Sequence, residues 1–208
     1  YHTSGDVAAL GVESVDSVVI GKNNLKASAE EVYEAIKILN DVGSKTGENG
    51  MPELLPGLNF VFGLEGETKN TFKLNYEFLK RILDDGLLLR RINIRQIIPI
   101  PGTKMYNSGS SIISKHKYEF QKFKRHVREN IERPMLEKIL PRDTILRNVY
   151  TEIYEGKLTF SRQIGSYPIL VGIPGQILLN EFVDAKIIDY GYRSITALPY
   201  PLDINTAK

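Results

Sequence analysis

Carboxylates, hydroxyls and amides crowd three turns of this chain. Glu13 and Ser14 follow Gly11-Val12, Asn23 and Asn24 follow Gly21-Lys22, and Glu65 and Glu67 lie in Gly63-Leu64-Glu65-Gly66-Glu67-Thr68. A carboxylate in such a turn accepts hydrogen bonds from ribose hydroxyls or an ammonium group, or takes part in proton transfer. Gly63 and Gly66 let the backbone approach a ligand or adopt positive φ. Each residue also has a plainer reading. The glycines shape a turn, the glutamates are solvated, Glu13 pairs with a lysine at a strand end, and the asparagines form a turn. The three histidines, His2, His116 and His126, do not share a helical turn, so they do not suggest a metal site or a Ser-His-Asp triad. A P-loop is absent, and Gly63-Leu64-Glu65-Gly66 is not G-x-G-x-x-G.

The elements that position these turns are legible from hydropathy. Residues 7–12 read as a buried strand. Ser28 and Glu31 form a capping box, after which Val32, Ala35, Ile36, Leu39 and Val42 recur at helical spacing up to a stop at Gly43. Residues 44–56 read as a loop and 58–62 as a second strand. Thr68 or Asn70 caps a helix that runs to about Asp85, with Phe72, Tyr76, Leu79 and Leu83 on one face. Residues 91–98 form a third strand whose partial alternation leaves one face less apolar, and Pro99-Ile100-Pro101-Gly102-Thr103 ends it. Residues 114–133 read as one long helix, with Pro134 starting a new turn. Three strand–helix units joined by right-handed crossovers imply a parallel sheet with its polar turns on one rim, where ligands of α/β folds sit.

Beyond residue 157 the pattern changes. Short β-rich runs at 158–160, 167–171, 182–188 and 193–198 are punctuated by Gly and Pro, which suggests a small all-β unit. The expected division is therefore 1–140, a linker over 141–157, and a β-domain over 158–208.

Composition sets the outer bounds. The 208 residues are 42% hydrophobic and 25% charged, as in soluble globular proteins. No apolar run is long enough for a membrane helix and no leader is visible, so the expected location is the cytoplasm. There is no cysteine, which excludes disulfides, thiolate metal sites and cysteine nucleophiles within this chain. The first residue is Tyr1, which suggests a fragment or a processed chain. Residues 104–150 carry eleven Lys/Arg against five Asp/Glu. That basic excess suits either a solvated helix face or a polyanion-binding one.

Taken in order, three turns carry a resemblance. Gly11-Val12-Glu13-Ser14, Gly63-Leu64-Glu65-Gly66-Glu67-Thr68 and Pro99-Ile100-Pro101-Gly102-Thr103 resemble the G-[IV]-E-S, G-F-P-G-E-T and P-x-P-G-T turns of radical S-adenosylmethionine enzymes. The likeness is to the C-terminal half of their barrel, and within the superfamily to archaeal iron–sulfur oxidoreductases. Residues 155–198 are similar to a TRAM-type β-barrel, as in methylthiotransferases. The fold class this implies is α/β: a parallel-stranded half of a (β/α)6 barrel followed by a small all-β, TRAM/OB-like domain.

The resemblance also implies roles. Glu13 and Ser14 would lie near the ribose and amino-acid part of S-adenosylmethionine. Asn24 would share the rim. Gly63, Glu65, Gly66 and Glu67 would pass the methionine and adenine side, and the backbone of Ile98 and Pro99 would flank the adenine. Two departures stand out. Position 65 is Glu where the family has Pro, and the C-x-x-x-C-x-x-C motif that holds a 4Fe-4S cluster is missing. The cluster ligands would then lie outside this chain, in the N-terminal half of the same protein.

The leading expectation is thus the cluster-less part of a radical enzyme acting on RNA or protein, inactive by itself, with no catalytic residue assigned. The alternative is a non-catalytic RNA-binding module. It would use the basic segment 114–147, with Arg125, Arg128, Arg133, Arg142 and Arg147 on phosphates and Tyr118 and Phe120 available to stack. An open sheet edge along strand 7–12 would invite a homodimer. No membrane partner is expected.

Overall fold

The computed structural model describes residues 5–106 and 109–201. The first unit is a parallel sheet of β1 (Asp6–Glu13), β2 (Leu54–Phe62) and β3 (Arg91–Gln96), in the order β1-β2-β3. Between β1 and β2 lie α1 (Ser17–Asn23) and α2 (Ala29–Gly43), and α3 (Lys69–Asp84) joins β2 to β3. After β3 the chain forms α4 (Gly109–Lys115), α5 (Lys117–Val127), a π-turn at Arg128–Glu132 and α6 (Arg133–Ile139).

Local chemistry explains these elements. The Ser28 capping box forms as its spacing predicts: the Glu31 carboxylate accepts from the Ser28 N–H at 2.8 Å, and Ser28 Oγ accepts from the Glu31 N–H at 3.3 Å. Gly43 has a different role from the one expected. It is the last helical residue of α2, and a Cβ there would stand 2.1 Å from the Leu54 carbonyl oxygen. Glycine is needed for the close approach of helix to strand. The single helix expected over 114–133 is broken at His116 and again by the π-turn, which absorbs an extra residue before Pro134 opens α6.

One face of the sheet is the core. Leu58, Phe60, Phe62 and Ile92 are buried there beneath the helices. Phe62 is the hub. Its ring stacks on Phe72 at 4.8 Å and meets Phe123 at 5.0 Å and Phe120 at 5.5 Å. The opposite face carries Asn59, Arg91 and Asn93, half-buried, and Arg95, exposed.

The second unit is a closed barrel of β4 (Ile145–Glu155), β5 (Leu158–Gln163), β6 (Leu170–Pro174), β7 (Phe182–Tyr190) and β8 (Ser194–Tyr200). The order is β4-β5-β6-β8-β7, with β4 and β7 closing the ring. The β6–β8 pair is parallel and the other pairs are antiparallel. The segment 141–157, read above as a linker, thus contains β4.

The expected half of a (β/α)6 barrel with an appended TRAM/OB-like domain is not what forms. The described residues make two separate sheets, an open three-stranded parallel one and a closed mixed barrel of five strands. Strand–helix periodicity encodes local crossovers but not how a sheet continues at its edges. A side chain of the second unit, not a strand, meets the outer edge of β3: Arg193 Nη2 donates to the Ile92 carbonyl. At the other edge β1 pairs only with β2 among the described residues. No helix among the described residues is long and apolar enough to cross a membrane.

Candidate functional site

Because β1, β2 and β3 are parallel and adjacent, the turns after them open on one rim. The first turn is built tightly. A register shift between Gly11 and Glu13 marks a bulge, and Glu13 sits at φ 52°, a left-handed conformation unusual for a side-chain-bearing residue. Ser14 is buried, and its Oγ accepts from the Asp16 N–H at 3.2 Å. Asp16 caps α1 by accepting from Val18 N at 2.9 Å, and its other oxygen accepts from Thr71 Oγ1 at 2.6 Å. The Val15 N–H donates to Asn75 Oδ1 at 2.9 Å. These bonds fasten the turn to α3.

The second turn is fastened from two sides. Asn23 Nδ2 donates to the Glu65 carbonyl at 2.9 Å, and Asn23 Oδ1 accepts from the Glu65 N–H at 3.3 Å. Glu67 is turned inward. One of its oxygens accepts from the Gly63 N–H at 2.7 Å, and the other lies 3.2 Å from His116 Nδ1. Both side chains of that pair are buried. Burial pushes the Glu67 carboxyl above the ordinary range, against the pull of the Gly63 N–H and His116. Gly63 (φ 93°) and Gly66 (φ 88°) hold conformations that favour glycine.

The expected rim residues therefore divide. Gly63, Gly66, Ile98 and Pro99 stand at the strand ends, with Ile98 strongly exposed beside Ile100 as an apolar lip. Ser14 and Glu67 build the turns. Asn24 is the left-handed cap of α1, its N–H bound to the Ile20 carbonyl. Glu65 is half-buried, with its backbone held by Asn23. Glu13 stands apart. It is half-buried, its carboxylate has no hydrogen-bond partner among the described residues, and burial alone raises its pKa. A half-buried carboxylate on a left-handed backbone at a strand end is a candidate ligand contact.

Sequence reasoning missed His116, Asn59 and Asn93. His116 is 49 positions from Glu67, and no spacing rule connects them. The other two had a signal: a single asparagine inside the apolar run Leu58–Phe62, and the weak alternation of β3. Asn93 Nδ2 donates to Asn59 Oδ1 at 2.7 Å, and Asn59 Nδ2 reaches the Leu10 carbonyl at 3.4 Å. This amide chain crosses the uncovered sheet face toward β1.

The proposed RNA-contacting arginines are not brought together. Arg125 and Arg128 share a groove with Tyr192. Arg133 pairs with Glu137 on its own helix, Arg142 lies on the turn before β4, and Arg147 bonds Asp184 in the barrel. Tyr118 is exposed, but Phe120 is buried in the core and cannot stack on a base.

Truncating Glu67 to alanine strands the Gly63 N–H and leaves His116 without its partner. Leaving such buried groups unsatisfied costs about 1–3 kcal/mol. Urea denaturation of Glu67→Ala should show a loss of that size. An unchanged midpoint would mean that the pair does not hold the turn.

The chain is 51% identical over 207 residues to an uncharacterized protein of Archaeoglobus fulgidus, covering 100% of this chain and 39% of that protein. It is 52% identical over 198 residues to an uncharacterized protein of Methanocaldococcus jannaschii, covering 94% of this chain and 36% of that protein. The chain thus spans under two fifths of the length of the curated relatives it matches. No protein-family model matches it.

Proposed function

We propose that the rim binds the nucleoside part of S-adenosylmethionine, as one portion of a longer cytoplasmic iron–sulfur enzyme in which the five-stranded barrel faces the substrate. The observation that carries this reading is Glu13, a half-buried carboxylate with no hydrogen-bond partner among the described residues, aligned with two further strand ends. A pair of ribose hydroxyls supplies the donors that this acceptor lacks. The backbone after β3, stiffened by Pro99 and Pro101, flanks a flat ring, while Gly63 lies against Ile97 and Ile113 and Gly66 against Lys22 and Val18. The order of the three turns and the greater length of the relatives support the same reading.

The chain has no cysteine, so the thiolates of a 4Fe-4S cluster must come from other residues. With such a cluster, bound S-adenosylmethionine would supply radical chemistry. The residues of this chain bind and orient it.

Hydrogen–deuterium exchange of the chain with millimolar S-adenosylmethionine tests the reading. Protection is expected at residues 11–16, 63–67 and 97–99, with weak affinity, because the anchor for the amino-acid end is not among these residues. Protection confined to the barrel, or none, would overturn it.

A further inference from the structure

The seam between the two units lies at the opposite end of β3 from the rim, and its reading is independent of what the rim binds. A cavity of about 200 Å³ opens there, lined in part by Arg90, Arg91, Glu132, Tyr167, Tyr192 and Arg193. Three guanidiniums face one carboxylate. One of its oxygens is engaged, since Glu132 Oε1 accepts from Arg193 Nε at 2.8 Å and from Arg193 Nη2, while the buried Oε2 has no partner among the described residues.

The arginines are held in place by bonds that leave donors over. Arg90 Nη2 donates to the Tyr167 carbonyl at 2.7 Å, while its buried Nε has no partner among the described residues. Arg91 Nε donates to Asn93 Oδ1 at 2.7 Å, and its guanidinium stacks on the Tyr167 ring at 4.1 Å. Arg193 uses Nε and Nη2 as described. Each guanidinium carries five N–H donors, and the Nη1 group of each has no protein acceptor among the described residues. Burial, and then the charge of Arg91, pull the Arg90 guanidinium down to about 10. Arg193 has Glu132 as its counter-charge, but burying the Arg90 guanidinium without one is unfavourable unless an anion completes the site.

The seam continues past Tyr192 into a groove with Lys124, Arg125, Arg128 and Glu129. Along both hollows six cations face two carboxylates. We infer that the seam is a phosphate-binding site, in which Arg90, Arg91 and Arg193 grip a phosphoryl group through their outward Nη groups. Planar guanidinium forks suit phosphate oxygens better than a point charge does. The phosphoryl group belongs either to a small phosphorylated compound or to a nucleic-acid strand continuing into the Tyr192 groove.

The rival explanation is that these arginines only clamp the Tyr167 loop to the sheet. Calorimetry at fixed ionic strength with inorganic phosphate, and separately with a short single-stranded oligoribonucleotide, separates the two. Saturable phosphate binding is expected, at least tenfold weaker in both Arg91→Gln and Arg193→Gln and unchanged in Arg133→Gln, which lies outside the seam. If phosphate displaces the oligoribonucleotide, the strand is a source of the phosphoryl group. If phosphate binds and the oligoribonucleotide does not compete, the source is a small compound. No saturable phosphate binding by the parent protein overturns the inference. So does binding that survives both substitutions in variants whose folded circular-dichroism spectrum is intact.

Discussion

Glu13→Gly should weaken binding of S-adenosylmethionine tenfold to a hundredfold without loss of fold stability. The two effects have separate causes. The carboxylate has no hydrogen-bond partner among the described residues, and losing a charged hydrogen bond costs about 1.5–3 kcal/mol, which is that range of affinity. The backbone at position 13 is left-handed, where a side chain costs about 1–2 kcal/mol relative to glycine. Glycine also loosens the unfolded chain, which returns about 0.4–1 kcal/mol of that gain. The balance leaves the variant as stable as its parent, or up to about 1.6 kcal/mol more so.

Glu13→Ala should bind equally poorly while keeping the strain, so the pair isolates the carboxylate from the turn. A pH signature accompanies them. Burial raises the folded-state pKa of Glu13, so the folded protein holds this proton more tightly than the unfolded chain. Stability then falls as pH rises from the ordinary carboxylate range through the raised value, and this component should vanish in both variants. Calorimetric titration of the protein with S-adenosylmethionine, with thermal unfolding alongside, checks both readouts. Parent-like affinity in Glu13→Gly would remove Glu13 from the site.

Phe62→Ala should cost about 3–5 kcal/mol, the range for deleting a fully buried aromatic ring. Phe62 is 1% exposed and touches three other rings drawn from α3 and α5. These elements cannot collapse into the void without moving β2, whose last residue is Phe62 itself, next to Gly63, so the rim should loosen as well. Tyr118→Ala, on the exposed side of α5, should change stability by no more than about 0.5 kcal/mol. Denaturant midpoints measure both. A Phe62→Ala loss as small as that at Tyr118 would show that the ring cluster is not a packed hub.

Much of the first unit was legible because its signals are local. The Ser28–Glu31 box, the apolar run of β2 and the spacing of Phe72, Leu79 and Leu83 each fit within a few turns of chain. Short or irregular elements hid. The seven residues of α1 give too few periods to read, and its cap, Asp16, is recognised only when Val18 folds back on it. In β4, register shifts at Leu146/Val149 and Thr151/Ile153 break the period-two alternation, so a strand of eleven residues looked like a linker.

The sequence by itself determined three strands, the helices that cross between them, and the chemistry available at the turns. Backbone periodicity and capping act within a few residues, so they survive without knowledge of the rest. Tertiary structure decided everything that depends on distant partners. It assigned Glu67 to a buried contact with His116 and left Glu13 bare, although both are glutamates in glycine-bearing turns. It closed the barrel through β4 and β7 and brought Arg193 to the edge of β3, 101 positions from Ile92. Among the described residues it gave an open parallel sheet of three strands and a separate closed barrel, where a recurring strand–helix pattern had suggested half of a larger barrel. A side chain's role is set by whether the fold satisfies or strands its polar atoms, and no local pattern records that.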